Sequence, residues 1–210
     1  VIRALIADDH AVVRRGLKEL LTESQEVTVI GEAASGREVL DQVRRAEWDV
    51  LVLDINLPDQ SGLDVIRAVK AERPRLPVLV LTICSEEQYA VRALRAGAAG
   101  YLTKESAPEE LVGAVRKVAS GGRYIGPSLA ERLAQQVARA GQDQPHETLS
   151  DREFQVFHML ASGKSVSQAA DALHLSVKTI STYRTRLLEK MALRTNADLT
   201  VYAVRNSLIE

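Results

Sequence analysis

Asp8, Asp9, Asp54, Thr82 and Lys104 each lie at, or just beyond, the end of an apolar run of the 210-residue chain. Carboxylates gathered in one place raise one another's pKa unless a cation joins them. A set of oxygen-only donors with several acids suits Mg2+, which keeps some of its waters. A hydroxyl and an ammonium facing such a site make a receptor for a phosphoryl group. Asp54 is then the nucleophile, and the product is an acyl phosphate. Lys104 and the metal neutralise oxygens, and Thr82 donates a hydrogen bond. Taken singly, these residues have ordinary uses: a helix N-cap for Asp8 or Asp9, a turn residue for Asp54, a strand end for Thr82, a solvated lysine for Lys104. It is the set that points to chemistry.

The elements that must position them are legible in the first 120 residues. Apolar, strand-like runs fall at residues 2–7, 27–30, 50–53, 78–81 and 99–102. Four are rich in Val, Ile or Leu with little polar alternation, as in parallel strands buried on both faces. Helical spacing links Val12, Val13, Leu17, Leu20 and Leu21, and recurs after each later strand. Ser35, Ser61, Ser85 and Ser106 stand where N-caps belong. Five strand–helix units predict a doubly wound α/β domain with a five-stranded parallel sheet and right-handed crossovers. Its ligands bind at the carboxyl ends of the strands. With strand 1 between strands 2 and 3, the three acids converge.

The pattern then breaks at GGRYIGPS. A short helix is expected over 129–140, with Leu129, Leu133 and Val137 on one face, and GQDQPHE reads as an exposed linker. The expected division is a domain at 1–120, a linker with its short helix at 121–145 and a small all-α domain at 146–210. The last contains four helices: 151–161, 167–173, 177–191 and 197–206. SDRE at 150–153 is a capping box, Ser150 with Glu153.

Composition fits a soluble globular protein: 46% hydrophobic and 26% charged, net charge −1. No apolar run reaches the ~20 residues needed to span a bilayer, and the start VIRALIADD does not read as a signal peptide. The single cysteine, Cys84, forms no internal disulfide, and a reducing cytoplasm is the simplest location. Positive charge is local. Between Ser176 and Arg194, Lys178, Arg184, Arg186, Lys190 and Arg194 stand against Glu189 alone. SVSQAADALHLSVKTISTYRTRLLEKM reads helix, turn, helix, with Ala169, Ala170 and Leu173 packing the first helix and Ser176 capping the second. The second is expected to bury Val177, Ile180, Tyr183 in part, Leu187 and Met191. That leaves Lys178, Thr179, Ser181, Thr182, Thr185, Arg186 and Lys190 for phosphates and base edges in a major groove. A solvated helix in a small bundle is the ordinary alternative.

Two resemblances follow from these residues. The set Asp8, Asp9, Asp54, Thr82 and Lys104 resembles the CheY-like receiver domain of two-component response regulators. The stretch from SDRE to LLEKM resembles the LuxR-type helix-turn-helix. Together they resemble the NarL/FixJ family of transcriptional regulators. The resemblance implies that a sensor histidine kinase phosphorylates Asp54. It further implies that Asp9, Asp54 and the backbone carbonyl of Asn56 bind Mg2+ with Asp8 assisting, and that Tyr101 is an aromatic switch residue following Thr82. It implies double-stranded promoter DNA as partner, a homodimer on phosphorylation through the last helix, and an RNA polymerase contact; the ordinary alternative for that helix's apolar face (Leu199, Tyr202, Ala203 and Leu208) is that it closes the bundle. No membrane role and no turnover of an external substrate are implied.

The chain departs from relatives at four points. Ile83 stands where a small residue is usual, crowding the phosphoryl path. Glu105 replaces a common proline, so a cis bond there would cost ~3 kcal/mol. Tyr183 replaces a frequent histidine, and Thr185 a frequent lysine. Cys84 and Asn56 hold positions that tune phosphoryl lifetime among relatives. Other classes fail on chemistry. GEAASGRE has P-loop glycine spacing but Arg37 and Glu38 where Lys and Ser/Thr belong. No GxGxxG opens the first helix. A phosphatase would want an acid where Asn56 stands. A receiver that signals through protein contacts alone, without phosphorylation, is the remaining alternative.

Overall fold

The computed structural model describes residues 1–82, 87–126, 130, 144–206 and 208–209. Ile83, Cys84, Ser85 and the helix expected over 129–140 lie outside the described residues, except Ala130. The chain divides into two compact units, Val1–Gln136 and Val137–Glu210.

The first unit alternates strands β1 (Ile2–Ala7), β2 (Val27–Ala33), β3 (Val50–Leu53), β4 (Val78–Thr82) and β5 (Gly100–Thr103) with helices α1 (Ala11–Glu23), α2 (Gly36–Arg45), α3 (Gly62–Glu72), α4 (Glu87–Ala96) and α5 (Ala107–Ala119). All four strand pairings are parallel, in the order β2-β1-β3-β4-β5. This is the doubly wound sheet expected. Side chains alternate across it. Ala4, Ile6, Val50, Val52, Leu79, Leu81 and Leu102 form one core with Leu17 and Leu21 of α1 and Leu111, Val115 and Val118 of α5. Their neighbours Leu5, Leu51, Leu53, Val78 and Val80 are equally buried and point to the other face. Burial on both faces is why these strands read as apolar runs.

Ser35 and Ser61 cap α2 and α3 as expected, accepting from the amides of Glu38 and Leu63. Ser106 does not cap α5. Its backbone is already helical there, and its hydroxyl turns back to Thr103, 3.0 Å from Thr103 Oγ1. Asp59 adds a cap that sequence reading missed. Its carboxylate accepts the Gly36 and Arg37 amides at 2.8 and 2.9 Å, tying the loop after β3 to the start of α2.

The second unit is all helical: a 3-10 turn (Pro145–Thr148), then α6 (Asp151–Ala161), α7 (Val166–Ala172), α8 (Val177–Lys190) and α9 (Asn196–Arg205). The SDRE capping box is present, with Ser150 and Glu153 exchanging bonds. Ser165 with Gln168 and Thr195 with Asp198 form two more. These caps start α7 and α9 one residue earlier than expected. Phe154, Phe157, Leu187, Leu199 and Ala203 are fully buried between α6, α8 and α9.

Two details of α8 differ from expectation. Val177 is 51% exposed, while Leu188 is buried. A residue in the first turn has no preceding turn of its own helix to pack beneath it, so Val177 overhangs the bundle. Leu188 extends the buried stripe beside Leu187.

Candidate functional site

Register brings the acids together. Ala7 pairs with Leu53, so β1 and β3 end at one level. The Asp54 amide donates to the Ala7 carbonyl at 2.8 Å, and Asp8 and Asp54 emerge side by side. Thr82 pairs with Thr103, and the Lys104 amide donates to the Thr82 carbonyl at 2.8 Å. Lys104 then reaches back across the strand ends. Its Nζ lies 2.6 Å from Asp54 Oδ2 and 2.5 Å from Asp8 Oδ2.

Asp8, Asp54 and Thr82 are buried, at 1%, 3% and 0% exposure. Asp9 is more open and lies 2.7 Å from His10 Nδ1. The Asp54 Oδ1 accepts the Asn56 amide at 3.2 Å. Gly62 closes the loop beneath: a Cβ there would stand 2.7 Å from the Asp54 carbonyl oxygen and 2.6 Å from Ile55 Cα. No side chain larger than hydrogen fits.

Electrostatics show a site short of positive charge. Burial pushes the Asp54 carboxyl above its ordinary pKa, and the Lys104 ammonium does not fully offset this. Burial also pushes Lys104 down, but the Asp54 and Asp8 carboxylates outweigh it and hold the ammonium above the usual lysine range. Ligand atoms of Asp8, Asp9 and His10 lie within 4.8 Å of one another. The Asp8 and Asp9 carboxylates of that group are hard oxygen donors of the kind Mg2+ takes, while Asp54, expected among the ligands, lies outside it.

The remaining expected residue of this unit, Tyr101, is 7% exposed on β5. Its amide donates to the carbonyl of Tyr124 at 3.1 Å. Tyr124, in the stretch taken as a break, was missed. Its signal was an aromatic one residue beyond Gly121 and Gly122, and it lies opposite Gly100.

In the second unit, α8 presents Lys178, Ser181, Thr182, Thr185, Arg186 and Lys190 outward, with Thr179 half-buried. Ser181, Thr182 and Thr185 donate to carbonyls one turn back, at 2.9, 3.0 and 3.1 Å, so they face outward mainly as acceptors. Thr179 Oγ1 lies 2.7 Å from Ser176 Oγ. Lys190 pairs with Glu153 at 2.6 Å, and Arg184 donates to Asn196 at 2.7 Å. Leu199, Ala203 and Leu208, expected on a dimer face, are instead buried within the bundle, and half-buried Tyr202 bonds His146 at 2.9 Å, so this face closes the bundle and is not free for a second copy. On the opposite side of α9, Val201 and Val204 are 50% and 54% exposed.

Residues 4–116 match the family described as "Response regulator receiver domain", and residues 147–203 match "Bacterial regulatory proteins, luxR family". The chain is 37% identical to "Response regulator GacA" of Pseudomonas aeruginosa, covering 100% of this chain and 99% of that one. It is 34% identical to "Response regulator UvrY" of Escherichia coli, covering 99% and 96%. Among solved structures it resembles RcsB from Salmonella enterica serovar Typhimurium bound to promoter rprA in the presence of phosphomimetic BeF3-. There the TM-score is 0.62 at 25% identity, covering 96% of this chain and 98% of that one.

Proposed function

The chain belongs to the NarL/FixJ-type response regulators, a receiver domain joined to a LuxR-type DNA-binding domain, and from that premise we propose that Asp54 is its phosphoacceptor. The single observation that carries the reading is the buried Asp54 carboxylate held 2.6 Å from Lys104 beside Asp8. An Asp54 carboxylate oxygen forms a bond to phosphorus as the P–N bond of a kinase phosphohistidine breaks, and the leaving imidazole takes a proton. The phosphoryl group comes to lie between Asp54 and Lys104, where the ammonium neutralises one oxygen and the Thr82 hydroxyl donates to another. Asp8, Asp9, Asp54 and the Asn56 carbonyl would hold Mg2+. When bound, it supplies positive charge to the phosphoryl oxygens. Tyr101 answers the movement of Thr82.

The output is transcription regulation through promoter DNA. In this reading α8 enters the major groove, with Lys178 and Arg186 on phosphates and Ser181, Thr182 and Thr185 nearest the bases. Val201 and Val204 of α9 meet a second copy, so that two α8 helices read two half-sites. In this reading the receiver spans 1–120 and the DNA-binding domain 146–210, which the matches over 4–116 and 147–203 support. A solution partner is a sensor histidine kinase, with RNA polymerase as a further contact.

The test is DNA binding at fixed salt by the full chain, with and without acetyl phosphate and Mg2+. Duplexes are selected beforehand from a random pool by the treated protein. Tighter binding after treatment, lost in Asp54→Ala, is expected; equal binding by treated and untreated protein overturns the reading.

A further inference from the structure

β5 is the edge strand of the sheet. An open edge leaves backbone groups free to pair. Among the described residues, Tyr124 pairs with this edge. The Tyr124 amide donates to the Ala99 carbonyl at 3.0 Å, and its carbonyl accepts the Tyr101 amide at 3.1 Å, a parallel bridge centred on Gly100. Gly100 permits the approach: a Cβ there would lie 2.9 Å from both the Cβ and the carbonyl oxygen of Tyr124. The side chain then ties a second element. The ring packs against the receiver core, its hydroxyl donates to the Glu110 carboxylate of α5, and Lys117 Nζ stands 5.8 Å from its centroid. Covering apolar surface needs the ring but not the hydroxyl bond.

We propose that Tyr124 is the positioning residue that couples the switch strand β5 to the chain leading into the DNA-binding unit. The proposal rests on the reading above, that phosphorylation at Asp54 acts through Tyr101. The amide of Tyr101 is fastened to Tyr124, and Tyr124 is fastened to α5. A shift of β5 against α5 therefore changes where the following chain leaves the receiver. The hydroxyl bond to Glu110, with burial second, also pushes the Tyr124 phenol pKa up to about 12.

The experiment uses the full chain with Tyr124→Phe and, separately, Glu110→Gln, neither of which touches the phosphorylation pocket. Intact mass after acetyl phosphate and Mg2+ measures phosphorylation. Affinity for the pool-selected duplex, treated against untreated, measures coupling. Both variants are expected to gain the phosphate as wild type does, while the affinity ratio falls on the order of tenfold, the size of one charge-assisted hydrogen bond. A purely structural role would lower stability without changing that ratio. An unchanged ratio in both variants overturns the proposal. Wild type alongside separates the two claims: no phosphate gain or no tightening there sinks the phosphorylation reading, and this proposal with it.

Discussion

Lys104 and Asp54, fifty positions apart in the chain, meet at 2.6 Å between Nζ and Oδ2, and the same ammonium stands 2.5 Å from Asp8. One half-buried cation thus serves two buried anions, and burial leaves Asp54 with a raised pKa. A carboxyl whose folded pKa lies above its unfolded value contributes stability below the unfolded value and loses it as pH rises through the folded one. At neutral pH the ionised Asp54 is therefore a cost. Asp54→Asn leaves Lys104 one partner, Asp8. The variant is expected to be more stable than wild type at pH 7.5 in a metal chelator. Urea unfolding measures this, and a lower midpoint in the variant contradicts it.

Tyr124 gives a titration with a clear sign. Its phenol pKa is pushed up to about 12, first by the Glu110 bond and then by burial. The protonated form carries the stabilisation, which is complete below the unfolded value near 10 and lost as pH rises through about 12. Ultraviolet titration of the tyrosines should lose a late-titrating group in Tyr124→Phe. In Glu110→Gln that group should move toward 10. A wild-type curve without a late group contradicts the assignment.

The basic residues of α8 divide into two roles. Lys178 and Arg186 are exposed, whereas Lys190 is anchored on Glu153. Lys178→Ala and Arg186→Ala should each weaken DNA binding several-fold and reduce the salt slope by about one, with little change in stability. Lys190→Ala should also cost roughly 1 kcal/mol of stability. Burial works against the Glu153 charge, but Lys190 and the Ser150 amide hold its pKa below the usual range. The Lys190 share of stability is thus present above the unfolded pKa and fades as pH falls through the folded one. An unchanged urea midpoint for Lys190→Ala would refute the anchoring role.

Ala192 ends α8 at φ 53°, with the Leu193 amide returning to Leu188 and its own amide to Glu189. Gly163 closes α6 in the same way without a Cβ. Left-handed backbone costs an alanine about 1 kcal/mol that glycine avoids. Ala192→Gly should raise the stability of the helical unit by roughly 0.5–1 kcal/mol in urea, and a loss of that size would count against this geometry.

Much of this was readable because polar residues interrupted apolar runs at strand ends. Val50–Leu53 had to be buried on both faces, so Asp54 marked the edge of the sheet. The capping serines and SDRE located helix starts through local chemistry alone. What failed was tertiary. Periodicity assigned Val177 inward because it ignores that a first-turn side chain overhangs its neighbours. Ser106 looked like a cap, but its hydroxyl found Thr103 nearby. Asp59 and Tyr124 looked like loop residues because their partners, the Gly36 amide and the β5 edge, are set by topology rather than by neighbours in sequence.

The central claim is that Asp54 takes the phosphoryl group, and intact mass spectrometry after incubation with acetyl phosphate and Mg2+ tests it most directly. Wild type is expected to gain one phosphate-sized increment that Asp54→Ala lacks and that chelator prevents. No gain in wild type, or an equal gain in Asp54→Ala, would contradict the account.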